Sequence, residues 1–587
     1  MCGVAGLMTR DGSPPEGAVL DRLARALVHR GPDGEGRYVN GGVGLVHRRL
    51  AIIDLETGDQ PLHEPDGAVL IANAEIYNYV ELRKALKDVS FATASDCEPP
   101  LHLYRREGAG FDAQLRGMYA IALYDPALDR LVLSRDPFGI KPLYYAEGSQ
   151  GFAFASEPQA LVAAGLVEPR INPQARDELL ELQFTTGADT IFSEVKRVLP
   201  GETIVVSAGR IIDRHRRDAL PGGETAVEDE HEAISRLDAA LNDSVTLHQR
   251  SDVPFGMFLS GGVDSSTLLA LMARHNDHPV LAFTVGFPDS GAHDERAHAR
   301  MLAEHVGARH VGVPVGEADF WDLLPEIASA MDDPAADYAI LPTYVLGRLA
   351  GQHVKVVLTG EGGDELFAGY GRYRSARRPR WLGGRVMRPR GTFDNLGVLR
   401  RPTTGWRDGI VAAGTRASGG GRTPLQISQA TDCADWLPHD LLLKVDRCLM
   451  AHGVEGRVPL LDPAVAAAVF PLPDRLKVNK GVGKYVLRKW LDQHLPEAVP
   501  FSKKRGFTVP VGEWIAGRGE QLGALVASSP GIEEICWPEG VVKVFRTPGK
   551  RQGFAAWTLL FYALWYRRHI LGKLPEGDTF EYLSAAP

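Results

Sequence analysis

The chain has 587 residues, of which 44% are hydrophobic and 24% are charged, and its formal net charge is -9. A chain of this length exceeds one hydrophobic core and predicts two large domains or three smaller ones. The negative charge argues against nucleic acid as the main partner, and no apolar run reaches the roughly 18–20 residues that a membrane-spanning helix needs.

The first part of the chain, residues 2–195, predicts a layered domain of strands and helices. Runs of apolar or alternating residues predict strands at Val43–Asp54, Ala68–Asn73, Met118–Tyr124, Leu131–Ser134 and Phe152–Ala155. Gly17–Val28 and Tyr79–Leu86 have the leucine spacing of helices. Strands with helices outside them are typical of an α+β domain. Residues 196–225 then predict a linker.

Residues 226–570 predict a second domain, in which strands alternate with helices. A helical stretch over 230–247 precedes predicted strands at Val253–Leu259, Val280–Gly286, His310–Val315 and Val354–Leu358. The alternation predicts a parallel α/β sheet that binds its ligand beyond the carboxyl ends of the strands. Residues 374–424 are rich in Arg, Gly and Pro, which favours a mobile surface insertion over a lid or a partner-docking segment.

The run SGGVDS at 260–265 predicts a phosphate-binding loop, because it joins a predicted strand to a predicted helix. Glycines let the backbone approach phosphate oxygens, and a helix N-terminus offers free N–H groups. Ser260 and Ser265 add hydroxyl donors, whereas Asp264 would repel a phosphate unless a Mg²⁺ lay between them. The loop lacks the Gly-Lys-Ser/Thr ending of a Walker A motif, which favours chemistry at the α-phosphate of ATP.

A second loop, TGEGGDE at 359–365, also follows an apolar strand and opens a helix. Asp364 is predicted to be a second Mg²⁺ ligand. Glu361 lies where the end of the strand would present it to the ligand. Capping of the helix N-terminus is the alternative role for either acid.

Cys2 becomes the first residue if the initiator Met is removed, and its own α-amine can then act as general base for the thiol. The reference pKa of an α-amine, roughly 7.7–8.0, suits this role at neutral pH. The run 47–54 places a cation on a predicted strand, Asn73 supplies an amide donor and Asp96 an acid, and together they match the carboxylate, carbonyl and ammonium of glutamine. These groups predict a glutaminase nucleophile, and an inert buried cysteine is the alternative.

The motifs together resemble the glutamine-dependent asparagine synthetases, which are class II, or N-terminal-nucleophile, amidotransferases. The resemblance covers nearly the whole chain and keeps the order of the family's motifs. These are Cys2-Gly3, HRGPD at 29–33, RLAIID at 49–54, NAEIYN at 73–78, SRDPFG at 134–139, SGGVDSS at 260–266, GEGGDELFAGY at 360–370, LLKVDR at 442–447, residues 453–463 and KKRGF at 503–507.

The resemblance implies a glutaminase sandwich of the N-terminal-nucleophile type, followed by an α/β synthetase domain resembling the ATP pyrophosphatases. In the first domain, Cys2 would attack glutamine, and Asn73 with the N–H of Ala74 would form the oxyanion hole. The other glutamine contacts implied are Arg49, Ile52, Ile53, Glu75 and Asp96.

In the second domain, the resemblance implies that Glu361 acts in the acyl-adenylate and ammonia steps. Lys484 would stabilise charge on the reacting phosphate, and Asp264 with Asp364 would hold Mg²⁺. The ATP contacts implied are Leu259, Ser260, Gly261, Gly262, Asp264, Ser265, Val285, Thr359 and Gly360.

The reaction that the family implies uses glutamine, aspartate and ATP. Aspartate would attack the α-phosphate to form a β-aspartyl adenylate, and ammonia from glutamine would displace AMP. The family also implies a homodimer. The five scattered cysteines have no metal-ligand spacing, so a reducing cytoplasm is the predicted location.

Two departures from the family pattern fall in the glutamine pocket. Ala74 replaces the usual glycine, and a left-handed backbone there would cost alanine about 1–2 kcal/mol. Pro99 and Pro100 follow Asp96 where the family has a helix, and two prolines are incompatible with a helix interior. These departures predict a weak glutaminase or the use of free ammonia.

Two further alternatives concern the function as a whole. The same chemistry can amidate another carboxylate or close a lactam ring, although residues 331–341 and 457–462 resemble the acceptor stretches of asparagine synthetases. A regulatory binding protein with inactive sites is the other alternative, and the intact phosphate loop argues against it.

Overall fold

The computed structural model describes residues 2–64, 67–223, 229–288, 294–378, 381, 384, 387–502 and 509–586. The elements of the first domain are β1 (Gly3–Thr9), α1 (Gly17–Ala26), β2 (Gly34–Asn40), β3 (Val43–Arg49), β4 (Leu62–His63), β5 (Val69–Glu75), α2 (Tyr79–Ala85), α3 (Glu98–Glu107), β6 (Met118–Asp125), β7 (Arg130–Arg135), β8 (Tyr144–Glu147), β9 (Gly151–Ala155), α4 (Pro158–Ala163), α5 (Pro173–Leu182), β10 (Lys196–Arg197), β11 (Glu202–Ser207) and β12 (Arg210–Arg216).

These strands form two six-stranded sheets with antiparallel pairing, in the orders β10-β8-β9-β1-β3-β2 and β12-β11-β7-β6-β5-β4. Alternate residues of the strands, such as Val4, Ile71 and Leu133, fill the space between the sheets. Leucines of α1, α4 and α5 pack on the outer face of the first sheet, and those of α2 and α3 on the outer face of the second. The predicted α+β sandwich is thereby confirmed.

The prediction of a linker at 196–225 is wrong for residues 196–216, which contain three strands. Strand β10 pairs with β8, and β11 pairs with β7 and β12. Residues 196–216 therefore complete both sheets of the first domain. The hydrophobic run in β11 is short, and its pairing with β7 is a tertiary contact that local patterns do not reveal.

The second part of the chain is an α/β domain with a large helical region. Its elements are α6 (Glu230–His248), β13 (Phe255–Phe258), α7 (Val263–His275), β14 (Leu281–Gly286), α8 (Arg296–His305), β15 (Arg309–Pro314), α9 (Glu317–Ala330), α10 (Ile340–Ala350), β16 (Val356–Leu358), α11 (Gly363–Leu366), α12 (Gly371–Ala376), α13 (Asp408–Ala417), α14 (Pro424–Ala434), α15 (Leu442–Met450), β17 (Glu455–Arg457), α16 (Pro463–Val469), α17 (Asp474–Lys477), α18 (Tyr485–His494), α19 (Val511–Gly517), α20 (Gly519–Ala527), α21 (Pro530–Glu533), α22 (Pro538–Arg546), α23 (Lys550–His569) and α24 (Thr579–Ser584).

The five strands β13 to β17 form a parallel sheet in the order β15-β14-β13-β16-β17, as the alternating pattern predicted. The chain moves from β13 to β14 on one side and later returns to β16 on the other. This reversal places a topological switch point between β13 and β16, where open parallel sheets bind their ligands. Both predicted ligand loops leave the sheet at this point.

The Arg-rich segment at 374–424 is not simply a surface insertion. Phe393 and Val398 are buried in the same core as α22 and α23. Glu181 at the end of α5 accepts hydrogen bonds from the Phe393 N–H at 2.9 Å and from the Thr403 hydroxyl at 2.7 Å. The described part of the segment therefore joins the first domain to the C-terminal helices.

A buried ion network also joins the two domains. Arg30 Nη1 lies 2.7 Å from Glu157 Oε1 in the first domain and 2.8 Å from Asp446 Oδ2 in the second. Arg447 Nε lies 2.7 Å from Asp332 Oδ1, and its Nη1 lies 2.9 Å from Asp446. All five side chains are buried, so each charge depends on its partners for stabilisation.

Within the described ranges, none of the helices combines the length and apolar composition needed to cross a membrane.

Candidate active sites

The first candidate site surrounds Cys2, which precedes β1 at the centre of the first sheet. Its side chain is 7% exposed, and its backbone nitrogen donates to Asn73 Oδ1 at 3.0 Å. Burial raises the pKa of the Cys2 thiol, and the backbone N–H of Leu50 partly offsets this effect. The thiol therefore needs a base before it can act as a nucleophile at neutral pH.

Asn73 lies on β5, and the two-residue period of the strand directs its side chain toward the first sheet. The side chain is fully buried, and Nδ2 has no hydrogen-bond partner among the described residues. A buried amide donor without an acceptor is costly unless a ligand supplies one. Asn73 Nδ2 thus has the property expected of an oxyanion-hole donor.

The strain predicted for Ala74 is absent. Ala74 lies inside β5 opposite Tyr119 and does not have a positive φ. The residue is 9% exposed, and its methyl group packs in the core beneath α2 and α3. An extended backbone suits alanine, so the expectation of a strained oxyanion hole is wrong.

The two prolines also fit their helix, contrary to expectation. Helix α3 begins at Glu98, which places Pro99 and Pro100 in its first turn. The first four N–H groups of a helix have no acceptor within it, so two missing donors cost little there. Asp96 precedes this helix and accepts a hydrogen bond from the Ile76 N–H at 2.8 Å.

The two predicted ligands of the glutamine ammonium, Glu75 and Asp96, are both buried. Burial raises the pKa of Asp96 to about 6 and also raises the pKa of Glu75. Glu75 Oε2 lies 2.8 Å from Nη2 of Arg457, a residue of the second domain, while Oε1 has no partner in the described structure. Sequence reasoning missed Arg457 here, because only the folded chain brings β17 to this pocket.

Arg49, the predicted ligand of the glutamine carboxylate, is held at the rim of the same pocket. Its guanidinium lies 2.8 Å from Asp59 Oδ1 and donates to the carbonyl of Ile53 at 3.3 Å. The Ile52 carbonyl accepts a hydrogen bond from Asp252 of the second domain at 3.0 Å. Since Asp59 is exposed on the surface, a glutamine carboxylate can take its place.

The second candidate site begins with the loop after β13. Leu259 is buried, and Gly261 has a φ of +71°, in the region that favours glycine. The hydroxyls of Ser260 and Ser265 lie 3.1 Å apart, and the Gly262 N–H donates to Ser260 Oγ at 3.2 Å. The loop is a compact turn whose N–H groups and hydroxyls face the start of α7.

The loop after β16 lies beside it. Val285, at the end of β14, is buried on the other side of β13. The Thr359 N–H donates to the Arg457 carbonyl at 2.8 Å, while Thr359 Oγ1 is buried without a partner in the described part of the chain. Gly360 packs so closely on Asp264 that a Cβ would come within 2.9 Å of the Asp264 Cβ. The structure thus brings the predicted ATP residues of both loops together.

The predicted acids and lysine of the synthetase site converge. Lys484 Nζ contacts Asp264 Oδ2 and lies 2.9 Å from Asp364 Oδ1. Lys484 is 3% exposed, and the two carboxylates raise its pKa. The carboxylates of Asp264 and Asp364 provide the oxygen ligands that Mg²⁺ prefers. They therefore fit a magnesium site that also includes phosphate oxygens.

Glu361 lies next to these acids, with further charged groups on its other side. Burial raises the pKa of Glu361, and the nearby Lys444 ammonium lowers it. Lys444 Nζ lies 2.8 Å from Asp337 Oδ2. Lys444 and Asp337 were not predicted as site residues, although each lies in a run that resembles the family, at 442–447 and 331–341.

The two predicted acceptor stretches have different positions. Residues 331–341 provide Asp337 to the region around Glu361. In the stretch 457–462, Arg457 is fully buried against Glu75, and Asp462 caps α16 and binds Arg116 of the first domain. This second stretch therefore holds the domains together.

A cavity of about 690 Å³ opens beside Tyr338, the neighbour of Asp337. Its lining is largely apolar and includes Phe554 and Trp557 of α23. This volume lies in the range of roughly 300–1,000 Å³ that is usual for small-molecule sites.

Comparisons with known proteins agree with this arrangement of two sites. Residues 236–567 match the family model described as asparagine synthase, and residues 1–216 match that of a glutamine amidotransferase domain. The chain is similar to asparagine synthetase [glutamine-hydrolyzing] 1 of Bacillus subtilis, with 31% identity over 98% of each chain. It is 30% identical to asparagine synthetase B [glutamine-hydrolyzing] of Escherichia coli, over 84% of this chain and 79% of that one.

Among solved structures, glutamine phosphoribosylpyrophosphate amidotransferase from B. subtilis is similar over 53% of this chain and 65% of its own, with 19% identity and a TM-score of 0.28. The family assignment instead depends on the sequence matches, which span both domains. The chain belongs to the glutamine-hydrolysing asparagine synthetase family, an ATP-dependent group of ligases.

Proposed function

We propose that the chain converts L-aspartate to L-asparagine with glutamine as nitrogen donor, through a β-aspartyl adenylate, releasing AMP, pyrophosphate and glutamate. The observation that carries this proposal is the convergence of Asp264, Asp364 and Lys484 beside Glu361, at the switch point of the parallel sheet. An acyl-adenylate needs positive charge at the phosphates and a pocket for the acceptor at the same place.

In the first domain, the Cys2 thiol attacks the side-chain amide carbon of glutamine, and the oxygen becomes an oxyanion. Asn73 Nδ2 and the N–H of Ala74 stabilise this oxyanion. Because burial raises the pKa of the thiol, the thiol needs a base, and after removal of Met1 its proton moves to the α-amine of Cys2, which Asn73 Oδ1 orients. Ammonia leaves as the thioester forms, and water then releases glutamate.

Glu75 and Asp96 hold the glutamine ammonium, and Arg49, with the backbone near Ile52 and Ile53, holds its carboxylate. The extended backbone of Ala74 and the first-turn prolines of α3 support use of glutamine over free ammonia. A glutaminase assay without ATP tests this point, and turnover near zero would favour ammonia as the donor.

In the second domain, a β-carboxylate oxygen of aspartate attacks the α-phosphorus of ATP, and pyrophosphate leaves. Lys484 stabilises charge on the phosphate, and Glu361 orients the acceptor and accepts a proton from the attacking ammonia. Asp264 and Asp364 would hold Mg²⁺, which neutralises phosphate charge when bound. Ammonia attacks the acyl carbon, and AMP leaves.

A product assay tests the whole proposal. Asparagine and AMP are measured with aspartate, ATP, Mg²⁺ and either glutamine or ammonia. We expect Cys2→Ala to lose glutamine-dependent synthesis and to keep ammonia-dependent synthesis, whereas Cys536→Ala, a buried thiol far along the chain, keeps both. No asparagine from the wild-type enzyme with either donor would overturn the proposal.

A second candidate is amidation of a different carboxylate or lactam closure by the same chemistry. The cavity of about 690 Å³ that Tyr338 lines, one residue after Asp337, favours this candidate. ATP–pyrophosphate exchange with a panel of carboxylic acids distinguishes the two. Exchange that depends on aspartate supports the first proposal, and exchange with a larger acid alone supports the second.

We also propose that the chain forms a homodimer, as the family resemblance suggests. Sedimentation at several protein concentrations tests it, and a single monomeric species at micromolar concentration would contradict it. The cytoplasmic location stays a prediction.

A further inference from the structure

A turn of π-helix, Leu437–Leu441, directly precedes α15. It contains Asp440, and Lys444 follows four residues later in the first turn of α15. Residues four apart on a helix lie on one face, and Asp337 acts on both side chains. Single turns of π-helix are rare and occur frequently at functional sites.

Only one of the two oxygens of the Asp440 carboxylate accepts a hydrogen bond from the described residues. The residue is 5% exposed, and Trp436 Nε1 donates to its Oδ2 at 2.5 Å. Oδ1 is buried and has no hydrogen-bond partner among the residues that the structure describes. Burial of a carboxylate oxygen without a donor costs on the order of several kcal/mol in free energy. We therefore expect a donor from outside the chain.

Charged groups of both signs surround Asp440. The Asp337 carboxylate acts on it, and Lys444, which also faces Glu361, forms a 2.8 Å ion pair with Asp337. Arg388 is the other cation that acts on Asp440, and it stacks on the Trp436 ring at 4.9 Å. Burial, and after it the charge of Asp337, raises the pKa of Asp440 to about 7.

We propose that Asp440 is a specificity residue whose Oδ1 accepts a hydrogen bond from the α-ammonium of the acceptor amino acid. This inference depends on the proposed function, because it assigns the ammonium of the proposed acceptor to Asp440 in the synthetase site. The reacting carboxylate of the acceptor lies toward Glu361 and the phosphates, and its ammonium lies between Asp440 and Asp337.

Succinate is the matched probe, because it has both carboxylates of aspartate and lacks the ammonium. A hydrogen bond to a charged group contributes about 1.5–3 kcal/mol, which corresponds to a difference of roughly 10- to 150-fold. We therefore expect the wild-type enzyme to prefer aspartate to succinate by at least this factor in ATP–pyrophosphate exchange.

Asp440→Asn keeps the shape of the side chain and removes its charge. We expect it to lower kcat/KM for aspartate about 10- to 100-fold, mostly through KM, and to change that for succinate less than about threefold. The KM for ATP and the glutaminase rate stay at wild-type values. Asp435→Asn is the control, since it removes another buried carboxylate with one unpaired oxygen among the described residues, whose other oxygen binds His439 at 3.0 Å and the Gly187 N–H at 2.9 Å.

The outcomes separate the inference from the function on which it depends. An equal loss for aspartate and succinate in Asp440→Asn would overturn the inference and indicate a structural role. A wild-type enzyme that uses succinate as well as aspartate would overturn it without any variant. A wild-type enzyme with no exchange on aspartate would overturn the proposed function, and the inference with it.

Discussion

Ala74→Gly restores the glycine that the family pattern has at this position, and the structure predicts that the change harms the protein. Ala74 lies in an extended strand and its methyl group is buried. Removal of a buried methyl group costs about 0.8 kcal/mol, and a glycine in a strand costs about 0.5–1 kcal/mol more in backbone entropy. The free energy of unfolding of the first domain should fall by about 1–2 kcal/mol.

Scanning calorimetry on the full chain measures this change as a drop of about 2–8 °C in the melting temperature of the first domain. The glutaminase kcat/KM should stay within about twofold of wild type, because the oxyanion donors are unchanged. Ala72→Gly is the matched control, since Ala72 lies on the same face of β5 and is also buried, at 1% exposure against 9% for Ala74. A tenfold gain in glutaminase activity for Ala74→Gly alone would refute the reasoning, because it would show that the alanine strains the oxyanion hole.

Three other predictions concern charged groups. Lys484→Met should lower the rate of ATP–pyrophosphate exchange about 10²- to 10³-fold and leave the glutaminase rate unchanged. Lys489→Met, on the exposed face of α18, is the control and should change neither rate. Normal exchange in Lys484→Met would exclude a role for Lys484 at the phosphate. Because the pKa of Asp96 is about 6, the carboxylate becomes protonated below that pH, and the glutaminase kcat/KM should fall there by a further factor of about ten per pH unit, in addition to the fall caused by protonation of the α-amine. A profile that does not become steeper below pH 6 would contradict this assignment. Asp446→Asn leaves the buried Arg30 with fewer counter-charges and should destabilise the protein by about 3–5 kcal/mol; an unchanged melting temperature would show that the network is dispensable.

Much of this architecture could be predicted from the sequence, because periodicity and motif order are local. Apolar runs predict the strand that ends at the SGGVDS loop and the strand that ends at Thr359. The two loops are then expected to lie close together, because parallel sheets bind their ligands beyond the carboxyl ends of the strands. The folded chain brings Lys484 to both acids, although Asp264 lies 220 positions before it in the sequence.

The failures have a common physical cause. The conformation of Ala74 depends on its pairing with Tyr119, and the tolerance of Pro99 and Pro100 depends on where α3 begins. The Glu75–Arg457 pair and the packing of Phe393 exist only after the domains meet. Tertiary contacts decide all of these features, and a single sequence does not show them.

Arg457 has a consequence for protein engineering. Its side chain lies 2.8 Å from Glu75 in the predicted glutamine pocket, while its carbonyl accepts a hydrogen bond from the Thr359 N–H in the predicted ATP loop. A chimera that joined this glutaminase to the synthetase of a relative without an arginine here would bury Glu75 without a counter-charge. The two catalytic domains are therefore not interchangeable modules, and successful grafts must exchange Glu75 and Arg457 together.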